Sequence, residues 1–304
     1  MKFELAPLLI VATCLSSVRA APSETLTKRD DNNSVTTDQF NDLIYYAQHA
    51  AADYCNTDKA SGTLITCNGG CPLLEQHKVA IASVFNGLIT GIGGFVAVDD
   101  IRREVILAVR GSTNLRNFIA DAQFLLASCD VVDGAAVHAG ILSAWNEISA
   151  AAREGVESAL AVHSGYRFVI VGHSLGAGVA TVAASYLRRD GYAGTDLYTY
   201  GSPRVGNAVF ADFVTSQGGS EYRVTHYNDI TPTIPPLILG YRHTSIEYWL
   251  STGPETKLDY QVKDIRVCEG DANLSCSGSV FPALSLVPHR YILADMYACG
   301  GLKV

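Results

Sequence analysis

Gly172-His173-Ser174-Leu175-Gly176 sets a serine between glycines, and a serine hydroxyl attacks a carbonyl carbon once a base takes its proton. The flanks bear on whether that chemistry is available. Arg167-Phe168-Val169-Ile170-Val171 is a β-branched and aromatic run of strand type, and Val179 to Leu187 is Ala-rich and helix-compatible. Strand, sharp turn and helix is the context of a nucleophile elbow, which holds its serine on a strained backbone. The glycines let strand and helix approach closely. The competing reading is a Gly-rich strand–helix turn with an incidental serine, and a matching base and acid argue against it.

In such a fold the order is Ser, then Asp or Glu, then His. Of eight histidines, His226, His243 and His289 lie beyond the first candidate acids. Asp229 follows the strand-like run Tyr222 to Asn228 and precedes the Pro-rich turn Thr231 to Pro236, the place for the acid; a turn-capping aspartate is the alternative. His289, in Val287-Pro288-His289-Arg290, opens an expected C-terminal helix, while His243, in Tyr241-Arg242-His243, is the rival base. The roles are attack by Ser174, proton transfer by the histidine, and orientation of the imidazole by Asp229. The oxyanion needs N–H donors, expected from Leu175, after the nucleophile, and from Ser112, closing the strand-like run that ends Val109-Arg110-Gly111.

The elements that must position these groups alternate. Phe40, Leu43, Ile44, Ala47, Ala51 and Tyr54 recur at helical spacing, so residues 38–55 read as an amphipathic helix, and Ile141, Trp145, Ile148, Ala152, Val156 and Leu160 form a second stripe. Strands are expected at 94–99, 104–110, 167–171, 196–200, 222–227 and 262–267, with helices after Ser174 and at 208–216. This alternation predicts an α/β fold with a doubly wound sheet.

The chain of 304 residues, 48% hydrophobic, is long enough for a full core, and no repeat or composition break divides it after residue 30. Its net charge of −8 argues against a nucleic-acid partner. Lys2, the apolar run Leu5 to Leu15 and Val18-Arg19-Ala20 read as a signal peptide over residues 1–20, too short to span a bilayer. Lys28-Arg29 is a dibasic site, so residues 21–29 are expected to be a propeptide and 30–304 a single catalytic domain, secreted and with no transmembrane segment. Asn32 and Asn273 head glycosylation sequons. With Cys14 in the leader, seven cysteines remain, so one is unpaired in an oxidising compartment. Cys67 and Cys71 flank a turn suited to a local bridge, and Cys268 and Cys276 could close another short loop. No C-x-x-C or histidine spacing supports zinc, and no metal or other cofactor is expected.

Taken together, Arg110-Gly111-Ser112, Gly172 to Gly176, Tyr200-Gly201-Ser202-Pro203-Arg204-Val205-Gly206-Asn207, Asn228-Asp229-Ile230 and Pro288-His289 resemble the secreted fungal lipases of the class 3 family, over roughly residues 38–300. The resemblance implies an α/β-hydrolase fold: a mostly parallel central sheet, flanking helices and a short helical lid. It also implies Ser174, Asp229 and His289 as the triad, with Ser112 and Leu175 at the oxyanion hole. Its cysteine pattern implies Cys55–Cys299 and Cys67–Cys71. A further family bridge would use Cys129, but Gly134-Ala135-Ala136 stands where its partner is expected, so Cys129 is the candidate free thiol.

Leu115, Phe118 and Ile119 share one face of a short helical stretch after Ser112. In the resembling lipases this segment is a lid that turns its apolar face to lipid; a short core helix is the bland alternative. Ile234 and Pro235, after Asp229, are expected to line the acyl groove. The implied activity is hydrolysis of triacylglycerol esters at a lipid–water interface by a monomer. A feruloyl or other soluble-ester esterase of the same fold is the nearest rival, and Phe118, where lipases often carry Trp, leaves that choice open. A non-catalytic lipid-binding protein is the remote one.

Overall fold

Period-two burial on both sides of the strands organises the molecule. In the computed structural model, which describes residues 34–111 and 124–299, β3 (Glu104–Val109) sends Ile106 and Ala108 into one core and Val105, Leu107 and Val109 into another. Further along the sheet, β6 (Arg167–His173) does the same with Val169 and Val171 against Phe168 and Ile170. Strands buried on both faces read as continuous apolar runs. The other strands of this sheet are β1 (Ala80–Asn86), β2 (Gly93–Asp99), β7 (Asp196–Tyr200), β9 (Glu221–His226), β11 (Glu247–Leu250) and β12 (Ile265–Cys268). The sheet runs β1-β2-β3-β6-β7-β9-β11-β12, parallel from β3 to β11 with antiparallel strands at both edges.

One face is covered by α1 (Thr37–Asn56), which starts at a capping box: the Thr36 hydroxyl accepts from Gln39 N–H, and the Gln39 side chain accepts from Thr36 N–H. α1 buries Leu43, Tyr46, Ala47, Ala50 and Ala51. A short helix, α2 (Pro72–His77), follows it. The other face holds α3 (Ala139–Val162), α4 (Leu175–Arg189) and α5 (Ala208–Ser216). Each large apolar side chain that α3 buries there, such as Trp145 and Ile148, contributes ~1.5–3 kcal/mol. A second sheet, β10 (Tyr241–Arg242), β8 (Gly206–Asn207), β5 (Ala136–His138) and β4 (Leu126–Ser128), is small. The described residues belong to one compact unit, Asn33–Val304. Among them no helix is long and apolar enough to cross a membrane.

Bridges join Cys55 to Cys299, Cys67 to Cys71 and Cys268 to Cys276, and Cys129 is free and buried. Two expectations need correction. Residues 262–264 form a 3-10 turn and the strand begins at Ile265. The chain after His289 is not a helix. It makes one 3-10 turn, Pro288–Arg290, then a bridge between Tyr291 and Asp295. The His289 carbonyl bonds to the buried His173 ring instead of to a backbone N–H of a following turn, and Leu293 sits at φ 59°, outside the helical region. Edge strand β1 and the short β11 also carried no readable alternation.

Candidate active site

Ser174 stands where β6 ends and α4 begins, at φ 59° and ψ −131°. For a residue with a Cβ that backbone is strained, and the surroundings hold it there. A Cβ on Gly172 would lie 2.5 Å from the Gly176 carbonyl, and one on Gly111 would lie 2.8 Å from Ser174 Cβ. The turn therefore needs glycine on either side of the serine and at the end of β3. Ser174 N–H donates to the Tyr200 carbonyl at 2.9 Å. Its Oγ is buried and has no hydrogen-bond partner among the described residues.

Asp229 follows β9, which is separated from β6 by β7. The two strand ends are therefore about 10 Å apart, at ~4.8 Å per strand. His289 Nδ1 lies 2.7 Å from Asp229 Oδ2, and Asp229 Oδ1 accepts Thr231 N–H at 2.9 Å. Nδ1 thus carries the proton, and Nε2, buried and without a partner among the described residues, keeps its lone pair. Below the ring β7 has ended at Gly201, whose φ is 58° and where a Cβ would come within 2.7 Å of His289 Cε1. Backbone bonds stitch the acid's loop to the base's: Ser285 N–H to Asn228 O, 2.9 Å, and Ile230 N–H to Ser285 O, 3.0 Å.

Two further histidines, His173 from the serine motif and His226, which sequence reading counted beyond the first candidate acids but gave no role, hold the loop of His289. His173 Nε2 lies 2.9 Å from the His289 carbonyl, and its Nδ1 lies 2.6 Å from Tyr54 Oη. His226 Nδ1 lies 3.0 Å from the Pro288 carbonyl, and its Nε2 faces Tyr260 Oη at 2.7 Å. Carbonyls only accept, so each ring donates from the nitrogen facing the loop. Burial lowers both pKa values, His173 well below the ordinary range, which keeps the rings neutral. His173 lay inside the serine motif, but only the fold puts its ring under residue 289. The rival His243 is elsewhere: its Nε2 meets the Pro232 carbonyl at 2.7 Å.

Leu175 is the first residue of α4, where a backbone N–H has no intrahelical partner and faces the positive end of the helix dipole. Ser112 and the lid residues Leu115, Phe118 and Ile119 lie outside the described residues, as do the leader, the propeptide and Asn32. Pro235 is buried and Ile234 half-buried. Arg204, quoted in the sequence motif Tyr200 to Asn207 but given no role there, fixes them by donating to the Pro235 carbonyl at 2.9 Å, and its own N–H donates to the Ile234 carbonyl at 2.8 Å. Such a site is equipped for acyl transfer: a strained serine, a base with a free lone pair and a carboxylate behind it.

Residues 106–239 match the family model described as Lipase (class 3). The chain is 43% identical over 306 residues to a secreted mono- and diacylglycerol lipase of Fusarium solani, covering 98% of this chain and 91% of that one. It resembles the crystal structure of a mono- and diacylglycerol lipase from Aspergillus oryzae with a TM-score of 0.81 at 33% identity, covering 87% of this chain and 99% of that one. A solved triacylglycerol lipase, described as having a serine protease triad at its catalytic centre, matches with a TM-score of 0.77 at 29% identity, covering 88% and 99%.

Proposed function

The chain belongs to the class 3 lipase family, and from that premise we propose that it is a secreted enzyme hydrolysing carboxylic esters of glycerol through Ser174, His289 and Asp229. The observation that carries the assignment is the 2.7 Å contact of His289 with Asp229, beside a serine held at φ 59°. Ser174 Oγ attacks the acyl carbonyl carbon while His289 Nε2 takes its proton. The tetrahedral oxyanion is met by the N–H of Leu175 and by Ser112. Collapse expels the glycerol oxygen, which leaves with the proton from His289. Water then attacks the acyl-enzyme with His289 again as base, releasing the fatty acid. Asp229 keeps the imidazole in the productive tautomer and stabilises its charge.

Ile234 and Pro235 line the acyl groove, and Leu115, Phe118 and Ile119 form a lid that opens onto lipid. The working partner is a lipid–water interface and the protein is a monomer. Residues 1–20 are a signal peptide and 21–29 a propeptide. Since the Fusarium solani relative is named a mono- and diacylglycerol lipase, mono- and diacylglycerols are substrates alongside triacylglycerols.

Replacing Ser174 by Ala tests the core of this reading. Turnover should fall by at least ~10³-fold with lipid binding retained, and an organophosphate should label the parent at Ser174 alone. A variant keeping a tenth of the parent rate would overturn the assignment. Emulsified mono-, di- and triolein against a soluble feruloyl methyl ester decides the substrate class; faster turnover of the aromatic ester would favour the esterase.

A further inference from the structure

Leu88 and Ile89 are 96% and 91% exposed, in the turn between β1 and β2. Two fully exposed large aliphatic side chains in succession cost solubility, so their setting matters. The turn is rigidly held. Gly87 N–H donates to the Ile92 carbonyl at 2.7 Å, closing it. The Glu147 carboxylate of α3 accepts from Ile89 N–H at 2.7 Å, from Thr90 N–H at 2.9 Å and from the Thr90 hydroxyl at 2.6 Å. These bonds lower the Glu147 pKa, the Thr90 hydroxyl most of all, which keeps the carboxylate ionised and turned towards the loop. A Cβ on Gly87 would fall 2.6 Å from Glu147 Oε2, so the clamp leaves no slack there. No Asp, Glu, Lys or Arg occurs from Val79 to Val98.

The turn is also next to the site. Arg110 donates through Nη2 to the Gly91 carbonyl at 3.0 Å, and its N–H donates to the Gly93 carbonyl at 2.8 Å. The next residue, Gly111, packs against Ser174. β1 and β2 are antiparallel, so their turn lies at the carboxyl end of β3, the end from which Ser174 and Asp229 project. On the other side of the nucleophile's strand, Ile238 is 91% exposed after Asp229.

We propose that Leu88 and Ile89 form a fixed lipid anchor, separate from the lid, that inserts into the surface of a glyceride aggregate and holds the mouth of the site against it. The proposal rests on the glyceride-hydrolase reading, because continuity with the substrate entrance identifies the occupant as lipid. A rigid knuckle loses little conformational freedom on insertion.

The test compares the parent, Leu88→Ser/Ile89→Ser and Ile101→Ser, the last altering a 64% exposed isoleucine at the opposite end of the sheet. Adsorption to phosphatidylcholine vesicles containing diolein is read by flotation, and fold by kcat/KM on a soluble short-chain nitrophenyl ester. The double variant should adsorb at least about tenfold more weakly, with the soluble-ester rate unchanged and Ile101→Ser like the parent. In Ile89→Trp, a blue shift of indole emission on adding vesicles reports insertion even if the double variant folds poorly. Adsorption equal to the parent's, or no blue shift, overturns the anchor alone. A parent that hydrolyses the soluble ester but ignores the vesicles overturns the lipid-surface reading and the anchor with it. Loss of a parent dimer in the double variant would instead assign the knuckle to a second copy of the chain.

Discussion

His289 hangs from three supports, and each can be cut separately. Asp229 holds Nδ1, His173 and His226 hold the carbonyls of residues 289 and 288, and Gly201 leaves room beneath the ring. Gly201→Ala should push the imidazole aside, since the new methyl would lie 2.7 Å from Cε1. Misplacement of a base by about 1 Å costs ~10²-fold. The expected outcome is a kcat on a soluble ester at least ~100-fold lower, with near-parent far-UV circular dichroism; a loss under threefold would show that His289 tolerates the shift. His173→Phe should do less to kcat, ~10-fold, but more to stability. It strands the buried His289 carbonyl and the Tyr54 hydroxyl, at about 1–3 kcal/mol for each group. Thermal unfolding and the kcat-against-KM split separate the two effects.

At the scale of elements, the disulfides and the lid make distinct predictions. Cys55–Cys299 ties α1 to the C-terminal segment across a separation of 244 residues. Its removal as Cys55→Ser/Cys299→Ser should cost ~5 kcal/mol on the chain-entropy account, visible as a large drop in Tm. Burial raises the pKa of Cys129. It should react with iodoacetamide only on unfolding, and a peptide map finding it bridged would contradict the pairing. On the proposed lid reading, closure would bury Leu115, Phe118 and Ile119, and a lipid surface would offset the cost of opening by burying the same face. Phe118→Ser/Ile119→Ser should therefore weaken hydrolysis of emulsions far more than of a soluble ester. Equal losses on both would count against a lid.

Over the whole molecule, buried titratable groups set how stability varies with pH. Burial pulls His49 down to about 3 and lowers His173, His226 and His243 as well. In the unfolded chain these rings protonate below ~6.5, while the folded protein keeps them neutral. Each therefore removes stability as pH falls below that value, at about 1.4 kcal/mol per pH unit. Two buried acids oppose this. Burial raises Asp53 well above its ordinary value and Glu221 to about 7, so each favours the fold at lower pH. The histidines outnumber the acids, and Tm should fall by several degrees from pH 7 to pH 5 in scanning calorimetry. A Tm that rose over that interval would mean the acids dominate.

The local half of this protein was legible in its sequence. Strand, glycine, serine, glycine and helix occur in order within about twenty residues, and local sterics alone demand that turn; α1 and α3 announced themselves through one-sided burial at helical spacing. Asp229 was findable because an acid must follow a strand end, and the pairing of Cys67 with Cys71 because the loop is short. What spans the chain was decided only by tertiary structure. Residues alone left His243 and His289 both open, since which imidazole reaches Asp229 depends on a loop folding back across β7. The helix expected after His289 failed for the same reason: the His289 carbonyl bonds to a side chain more than sixty residues away in sequence. His173, His226 and Arg204 stood in motifs or among candidates, but their holding roles were not legible, because a buried side chain that holds a distant backbone carbonyl has no local pattern. Whether Leu88 and Ile89 point into a core or out to solvent was equally undecided, as apolar character in a short turn is the same in either place until the sheet fixes which end faces the substrate.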